Sequence, residues 1–400
     1  EFVKHLDVKV DRYVSVFETI IRHVGGLIAA YEQSNYDEVF LIKAIEIANA
    51  LRPAFNSPSG YPYSEVNMKT GETRNKGWHS STSTLSEVGT MTLEFFALSY
   101  HSKDPLYASL AHQIIVKVST LKHDLPKGLF PCHISTSSGQ VDGSQWTSLG
   151  AMGDSFYEYL IKTFVYTNNT FYKTLYENAL SAMKDHLLTK SSKRQLSYFA
   201  EFHNNQKKHK VDHLTCFSAG MVGFGWLHLN NEKNDDLQLA KDILATCVQL
   251  YQDQPTGLGP EIATFQTSGD EEYRIHDAWS AHYFLRPETV ESLFYLHRLT
   301  GDDMYQKQGW AIFQSIEKHC KTTYAYSGIR GVNRPNPEHN NVQESFFYSE
   351  TLKYLYLLFT PNSTIDLKSY VFNTEGHPLK IHKDMLDKID LRIETHHDDL

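Results

Sequence analysis

Residues 83–121 read STLSEVGTMTLEFFALSYHSKDPLYASLAHQIIVKVSTL. Apolar residues recur at helical spacing through 83–101 and again through 105–121, with only Ser102-Lys103-Asp104-Pro105 between. The stretch therefore predicts a pair of helices joined by a short turn. Outward from it the same period appears at 13–31, 37–52, 150–167, 171–189, 211–231, 236–252, 286–299, 303–320 and 344–360, making eleven helices and no long strand. Thr300-Gly301-Asp302-Asp303 is another short connector, whereas Gly, Ser and Pro-rich loops at 53–82, 122–149, 190–210, 253–285 and 321–343 separate the pairs. Within those loops, alternation around glycine turns at Val66-Asn67-Met68-Lys69-Thr70-Gly71 and at 133–140 predicts small β-hairpins. Helix pairs whose long loops all fall at one end imply a solenoid or a closed toroid. The architecture repeats here and the sequence of the repeat does not, which favours the toroid.

The composition narrows the function classes. A 400-residue chain that is 41% hydrophobic can bury a large core. A formal charge of -9 with basic residues spread along the chain leaves no electrostatic footprint for nucleic acid. Aromatic residues make up 13%; their flat faces suit sugar rings, and they equally suit a core. The chain contains no run of eighteen apolar residues, and its first residues, EFVKHLDVKV, are not a signal peptide. No membrane contact by this chain is expected, and any anchor lies outside it. Cys132, Cys216, Cys247 and Cys320 are too few for a disulfide scaffold and lack metal-ligand spacing, leaving room for one structural disulfide. The sequons Asn168-Asn169-Thr170 and Asn362-Ser363-Thr364 would be glycosylated only in the secretory pathway.

The most informative feature is acidic residues at the starts of otherwise apolar helices. Glu18 and Arg22 stand four apart, as do Asp154 and Glu158; Glu288 and Glu291 stand three apart behind Pro287; Glu87 and Glu350 add further carboxylates. Each alone reads as a helix-capping acid that complements the dipole. If the helices close into a toroid, these starts converge and bring at least five carboxylates into one cavity. Crowded like charges raise some pKa values, so one carboxyl can remain an acid while another serves as base. Glycosidic bond cleavage needs such a pair. A cavity of this kind also suits a hard cation, although no EF-hand loop is present.

At these residues the chain resembles the class I α-mannosidases, glycoside hydrolase family 47. The matching stretches are Ser15-Val16-Phe17-Glu18 with Gly25-Gly26-Leu27, Ser86-Glu87-Val88-Gly89-Thr90, Gly153-Asp154-Ser155-Phe156-Tyr157-Glu158-Tyr159-Leu160, His213-Leu214-Thr215-Cys216-Phe217, Leu285-Arg286-Pro287-Glu288, Glu350-Thr351-Leu352-Lys353-Tyr354-Leu355-Tyr356, and Phe372-Asn373-Thr374-Glu375-Gly376-His377-Pro378-Leu379. The resemblance implies an all-α (α/α)7 barrel and calcium-dependent, inverting hydrolysis of terminal α-1,2-linked mannose from high-mannose N-glycans on glycoproteins. By motif position Glu18 matches the general acid, Glu288 the base that activates water, and Asp154 a third catalytic carboxylate; which of Glu18 and Asp154 delivers the proton is open. Thr374 matches the residue that holds Ca2+. Arg22, Glu87, Glu158, His213, Arg286, Glu291, Phe346, Glu350 and Glu375 match positions that line the pocket, hold calcium-bound waters or stack on sugar. Without the family, His213 reads as a structural residue at a helix start and Phe346 as core. Cys216 and Cys247 match the family's disulfide.

Gly376 stands where the family more often has Ala, and Met152 precedes Asp154 where enzymes of the endoplasmic reticulum carry Arg and Golgi enzymes Leu. An apolar Met resembles the Golgi class, which implies the lumen of the secretory pathway, the Golgi first and the endoplasmic reticulum as the alternative, with a type II membrane anchor in the whole protein. The alternative reading within the same family is a degradation-enhancing mannosidase-like lectin of glycoprotein quality control. The eleven helices correspond to the last eleven of the family's fourteen, so a barrel lacking the first three, with an apolar face exposed, is expected. Residues 1–380 read as the catalytic domain and 381–400 as a polar tail.

Overall fold

The computed structural model describes residues 2–76, 81–141, 145–229 and 235–389. Six helical runs form an inner layer: Val16–Gln33, Leu85–Ser102, Asp154–Thr167, His213–His228, Glu288–Thr300 and Phe347–Leu358. Each packs against the next in chain order. Outer helices Glu38–Leu51, Leu106–Ser119, Thr170–Ala182, Asp236–Gln252 and Asp303–His319 each back an inner partner. The inner helices are buried almost all round, as in Thr92–Ser99 and Val290–Leu296, while outer helices such as Asp303–His319 bury one stripe only. All eleven expected helices are present, one of them in two pieces: 83–101 is interrupted at Thr90 and Met91, between Leu85–Gly89 and Thr92–Ser102.

Among the described residues the strands form seven small antiparallel sheets, most of them built from the long loops. The hairpin expected after Val66 forms, with Glu65–Asn67 paired to Thr73–Arg74 and also to Tyr13–Ser15. The one expected at 133–140 is reduced to the single bridge Ile134↔Val141, because His133–Ser135 takes Thr82–Thr84 as its main partner. One hairpin fell outside the strand reading altogether: Tyr370–Phe372 pairs with Pro378–Lys380 and packs against the inner helices Gly25–Gln33 and Asp154–Thr167. Its turn is pinned by Asn373, whose Nδ2 donates to the Ile21 carbonyl and to Glu94 Oε1, both at 2.8 Å. A Cβ on Gly25 would sit 2.5 Å from that Nδ2 atom, which is why the sequence needs glycine there. Gly376, at φ +69°, occupies a backbone region that favours glycine.

From the first inner helix, Arg22 reaches Ser345, just before the last inner helix, and Glu375 on the hairpin turn. On the far side, Met304, Trp310, Tyr356 and Phe359 are exposed, with the Trp310 and Phe359 rings 6.0 Å apart. Of the stretch expected as a polar tail, Met385–Ile389 is a short helix with Met385 and Ile389 buried against Thr92–Ser102, and 390–400 lie outside the described residues. Among the described residues no helix is long and apolar enough to cross a membrane.

Cys216 and Cys247 form a disulfide with a Cα–Cα distance of 5.9 Å, and Cys132 and Cys320 are free and buried. The bridge fixes the start of Phe217–His228 to helix Asp236–Gln252, directly beside His213. Closing a loop of 31 residues restricts the unfolded chain by roughly 3–4 kcal/mol. Replacing both cysteines by serine is expected to lower the unfolding free energy by about that amount, as measured by denaturant titration; an unchanged midpoint would show that the surrounding packing suffices.

Candidate active site

The helix starts converge on one cavity of about 340 Å³. Ten predicted residues line it: Glu18, Arg22, Glu87, Asp154, Arg286, Glu288, Phe346, Glu350, Thr374 and Glu375. Glu158, His213 and Glu291 are buried and outside the lining; His213 bonds to Glu288, and the charges of Glu158 and Glu291 act on Glu350. Arg22 and Glu350 both sit on π-helical turns, Ile20–Val24 and Phe347–Leu352, a local widening common where a helix carries function. Met152 and Leu285, at φ +79° and +61°, lie in the left-handed region just before the two helices that begin with Asp154 and Glu288.

Capping and cavity lining coincide at these positions. Glu87 completes a capping box with Thr84, accepts from Ser64 Oγ at 3.0 Å, and pairs with Lys76 Nζ at 2.7 Å. Asp154 accepts from Ser86 Oγ and from the Ser155 backbone N–H, both at 2.7 Å. Burial nevertheless dominates, and with Glu158 and Glu288 nearby its carboxyl is pushed up to about 6.

Glu288 goes the other way. Burial alone would raise its pKa, but His213 Nδ1 at 2.6 Å and the charge of Arg286 outweigh it and hold the carboxylate below its usual range. His213 is fixed from behind by Tyr251, its Nε2 lying 2.5 Å from the phenol oxygen. Arg286 is held by a fork to Glu261, including Nε to Oε2 at 2.7 Å. At the opposite wall Arg22 Nε donates to Glu18 Oε2 at 2.6 Å. The Phe346 ring lies between the two guanidinium groups, 5.9 Å from Arg22 and 6.0 Å from Arg286.

Below the cavity, burial and the neighbouring charges of Glu375, Glu288, Glu291 and Glu158 push Glu350 well above the carboxylate range. Burial also raises Glu375, with Glu18 adding to the shift and Arg22 opposing it. Lys162 is the buried counter-charge here, bonded to Glu158 and 3.9 Å from Glu291. Thr374 lines the cavity from the hairpin turn; its N–H donates to Tyr159 Oη at 3.2 Å, and its hydroxyl makes no hydrogen bond among the described residues. An unpaired hydroxyl beside Glu350 and Glu375, whose pKa values are raised, is an all-oxygen donor set that fits a hard divalent cation.

Sequence reasoning passed over Glu94, Lys162, Lys76, Tyr159, Tyr251 and Glu261. Two of them had a readable signal. Lys162 continues the four-residue spacing of Asp154 and Glu158, and Glu94 is a lone acid in the apolar run Thr92–Leu98. Glu94 takes bonds from Tyr159 and Asn373 on one oxygen, and burial lifts it to about 7.

Asp154 yields a pH prediction. Its folded pKa near 6 lies above the ordinary 3.8, so between those values the native state keeps a proton that the unfolded chain has released. Its contribution to stability is therefore lost as pH rises through that window. The unfolding free energy of Asp154→Asn should fall less than that of the unsubstituted chain between pH 4 and pH 6; parallel slopes would mean that Asp154 has an ordinary pKa.

Comparison with known proteins bears on the same residues. The family description "Glycosyl hydrolase family 47" matches residues 1–381. The chain is 40% identical over 382 residues to human mannosyl-oligosaccharide 1,2-alpha-mannosidase IB, covering 94% of this chain and 58% of that protein. It is 42% identical over 382 residues to mannosyl-oligosaccharide 1,2-alpha-mannosidase MNS1 of Arabidopsis thaliana, covering 94% and 66%. The chain thus spans less than two thirds of these relatives' length. The solved alpha-1,2-mannosidase from Trichoderma reesei superposes with a TM-score of 0.87 at 29% identity, over 95% of this chain and 85% of that one. With a family match over nearly its whole length and a shared helical fold, the chain belongs to glycosyl hydrolase family 47.

Proposed function

We propose that the chain is the catalytic part of an α-1,2-mannosidase that removes terminal mannose from high-mannose N-glycans with inversion, in the lumen of the secretory pathway and in the Golgi class. The observation that carries this reading is a pair of carboxyls in one cavity with pKa values driven apart: Glu288 held ionised by His213 and Arg286, and Asp154 pushed up to about 6. A buried disulfide and the exposed sequon residues Asn168 and Asn362 support a secretory setting.

In this mechanism Glu288 takes a proton from a water whose oxygen forms the new bond to the anomeric carbon. The bond from that carbon to the glycosidic oxygen breaks, and the leaving oxygen accepts a proton. We assign that proton to Asp154, since Glu18 is engaged as the ion-pair partner of Arg22. His213 and Tyr251 orient Glu288, and Phe346 with Arg22 and Arg286 offers a flat, polar-edged wall for a sugar ring. Thr374 would hold Ca2+, with Glu87, Glu158, Glu291, Glu350 and Glu375 acting on its waters; the ion supplies electrostatic binding of sugar hydroxyls.

Glu288→Gln keeps the shape and removes the base. Mannose release should fall by roughly 10²–10⁴-fold while glycan binding persists, and near-normal turnover would refute the assignment. Removing calcium by chelation should abolish release and lower the melting temperature, both restored by added Ca2+; release indifferent to chelation would take Thr374 out of the account. Glycan binding without release, in the calcium-loaded chain and in one extended upstream, would instead favour the quality-control lectin.

A further inference from the structure

The active-site cavity lies at the starts of the inner helices. At the opposite end, the ends of two of them carry a second cluster that the mannosidase reading does not use. Glu32 lies in the last turn of Gly25–Gln33 and His101 in the last turn of Thr92–Ser102, while His382 follows the strand Pro378–Lys380. Glu32 is about 21 Å from Glu18 along one helical run, at roughly 1.5 Å per residue.

One ligand atom from each of these three residues lies within 4.8 Å of the other two. His101 Nε2 stands 2.8 Å from Glu32 Oε1, and His382 Nε2 stands 3.6 Å from the same oxygen. The Glu32 side chain is 1% exposed, and no lysine or arginine side chain pairs with it among the described residues. Its second oxygen accepts the Lys380 N–H at 2.7 Å. His382 Nε2 is buried, and its one near acceptor among the described residues, Glu32 Oε1 at 3.6 Å, lies just beyond ordinary hydrogen-bond length. The rings are held by their neighbours: Tyr100 stacks on His382 at 4.3 Å, and Tyr31 meets His101 edge-on at 5.1 Å.

We infer that Glu32, His101 and His382 form a binding site for a divalent transition-metal ion of the Zn2+ class, separate from the calcium site proposed at Thr374. Two imidazoles and one carboxylate are a zinc-type donor set, too rich in nitrogen for Ca2+. Bonds of about 2.0–2.1 Å in a tetrahedral arrangement place ligand atoms roughly 3.3 Å apart, close to the 2.8 and 3.6 Å present. The two imidazoles, their ligand atoms within 4.8 Å of each other, would close around the ion by side-chain rotation, and a fourth position is left to water. The ends of two helices add the favourable, negative side of their dipoles. An ion there would pair the buried His382 nitrogen, neutralise the buried carboxylate and staple the strand that returns from the Thr374 turn to two inner helices.

The test is metal binding by the full chain in excess Ca2+, with Zn2+ followed by calorimetry and Co2+ by its visible absorption. We expect one Zn2+ per chain, a melting temperature that rises with Zn2+, and Co2+ absorption with histidine character. His101→Ala and His382→Ala should each weaken binding by roughly tenfold or more, while Glu288→Gln leaves it unchanged. No Co2+ spectrum in the unsubstituted chain would overturn the proposal without any variant being made. Binding equally tight in both histidine variants would overturn it too. Neither readout uses glycan turnover, so failure here is distinct from failure of the mannosidase reading.

Discussion

Like charges buried together at one end of a helical barrel repel, and the structure around this cavity is arranged to contain that repulsion. Six carboxylates line the space and two more lie next to it. Helix starts accept some of the charge through free N–H groups, as Asp154 does with Ser155. Lys162, fully buried, pairs with Glu158 and lies 3.9 Å from Glu291, and Arg22 reaches both Glu18 on its own helix and Glu375 on the hairpin turn. Burial, with the neighbouring carboxylates adding to it, raises the pKa values of Asp154, Glu291, Glu350 and Glu375. Glu288 is held low instead, because His213 and Arg286 stand against it. In the proposed mechanism, the difference between Asp154 and Glu288 is what separates acid from base.

Much of this was legible in the sequence because helical period and helix-start acids are local signals. The eleven helices follow from spacing alone, and the convergence of Glu18, Glu87, Asp154, Glu288 and Glu350 follows from their shared position in successive inner helices. The hairpin of Tyr370–Phe372 and Pro378–Lys380 was not legible as structure. Its strands are three residues long, and its seat depends on Gly25 and Glu94, hundreds of residues away. The break at Thr90 and Met91 was hidden for a similar reason, since Thr90 turns its hydroxyl to Ser155 on the next inner helix, a tertiary contact. Lys162 and Glu94 looked like incidental charges because their burial is set by the ring of helices and not by their neighbours in sequence.

The two ends of the barrel have different characters. Helix starts gather acids, backbone donors and the Thr374 hydroxyl, a set suited to sugar hydroxyls and to a hard cation. Helix ends gather imidazoles around Glu32, a softer set with a negative dipole behind it. The hairpin joins them, with Thr374 at its turn and His382 just past its second strand.

The central claim is that Glu288 drives water onto the face of the anomeric carbon opposite the leaving oxygen. Proton NMR of the mannose first released from an intact high-mannose glycan tests it directly, before mutarotation mixes the anomers. The account predicts that β-mannose appears first from the α-linked substrate. Initial release of α-mannose would mean retention, and would contradict a water-activating role for Glu288.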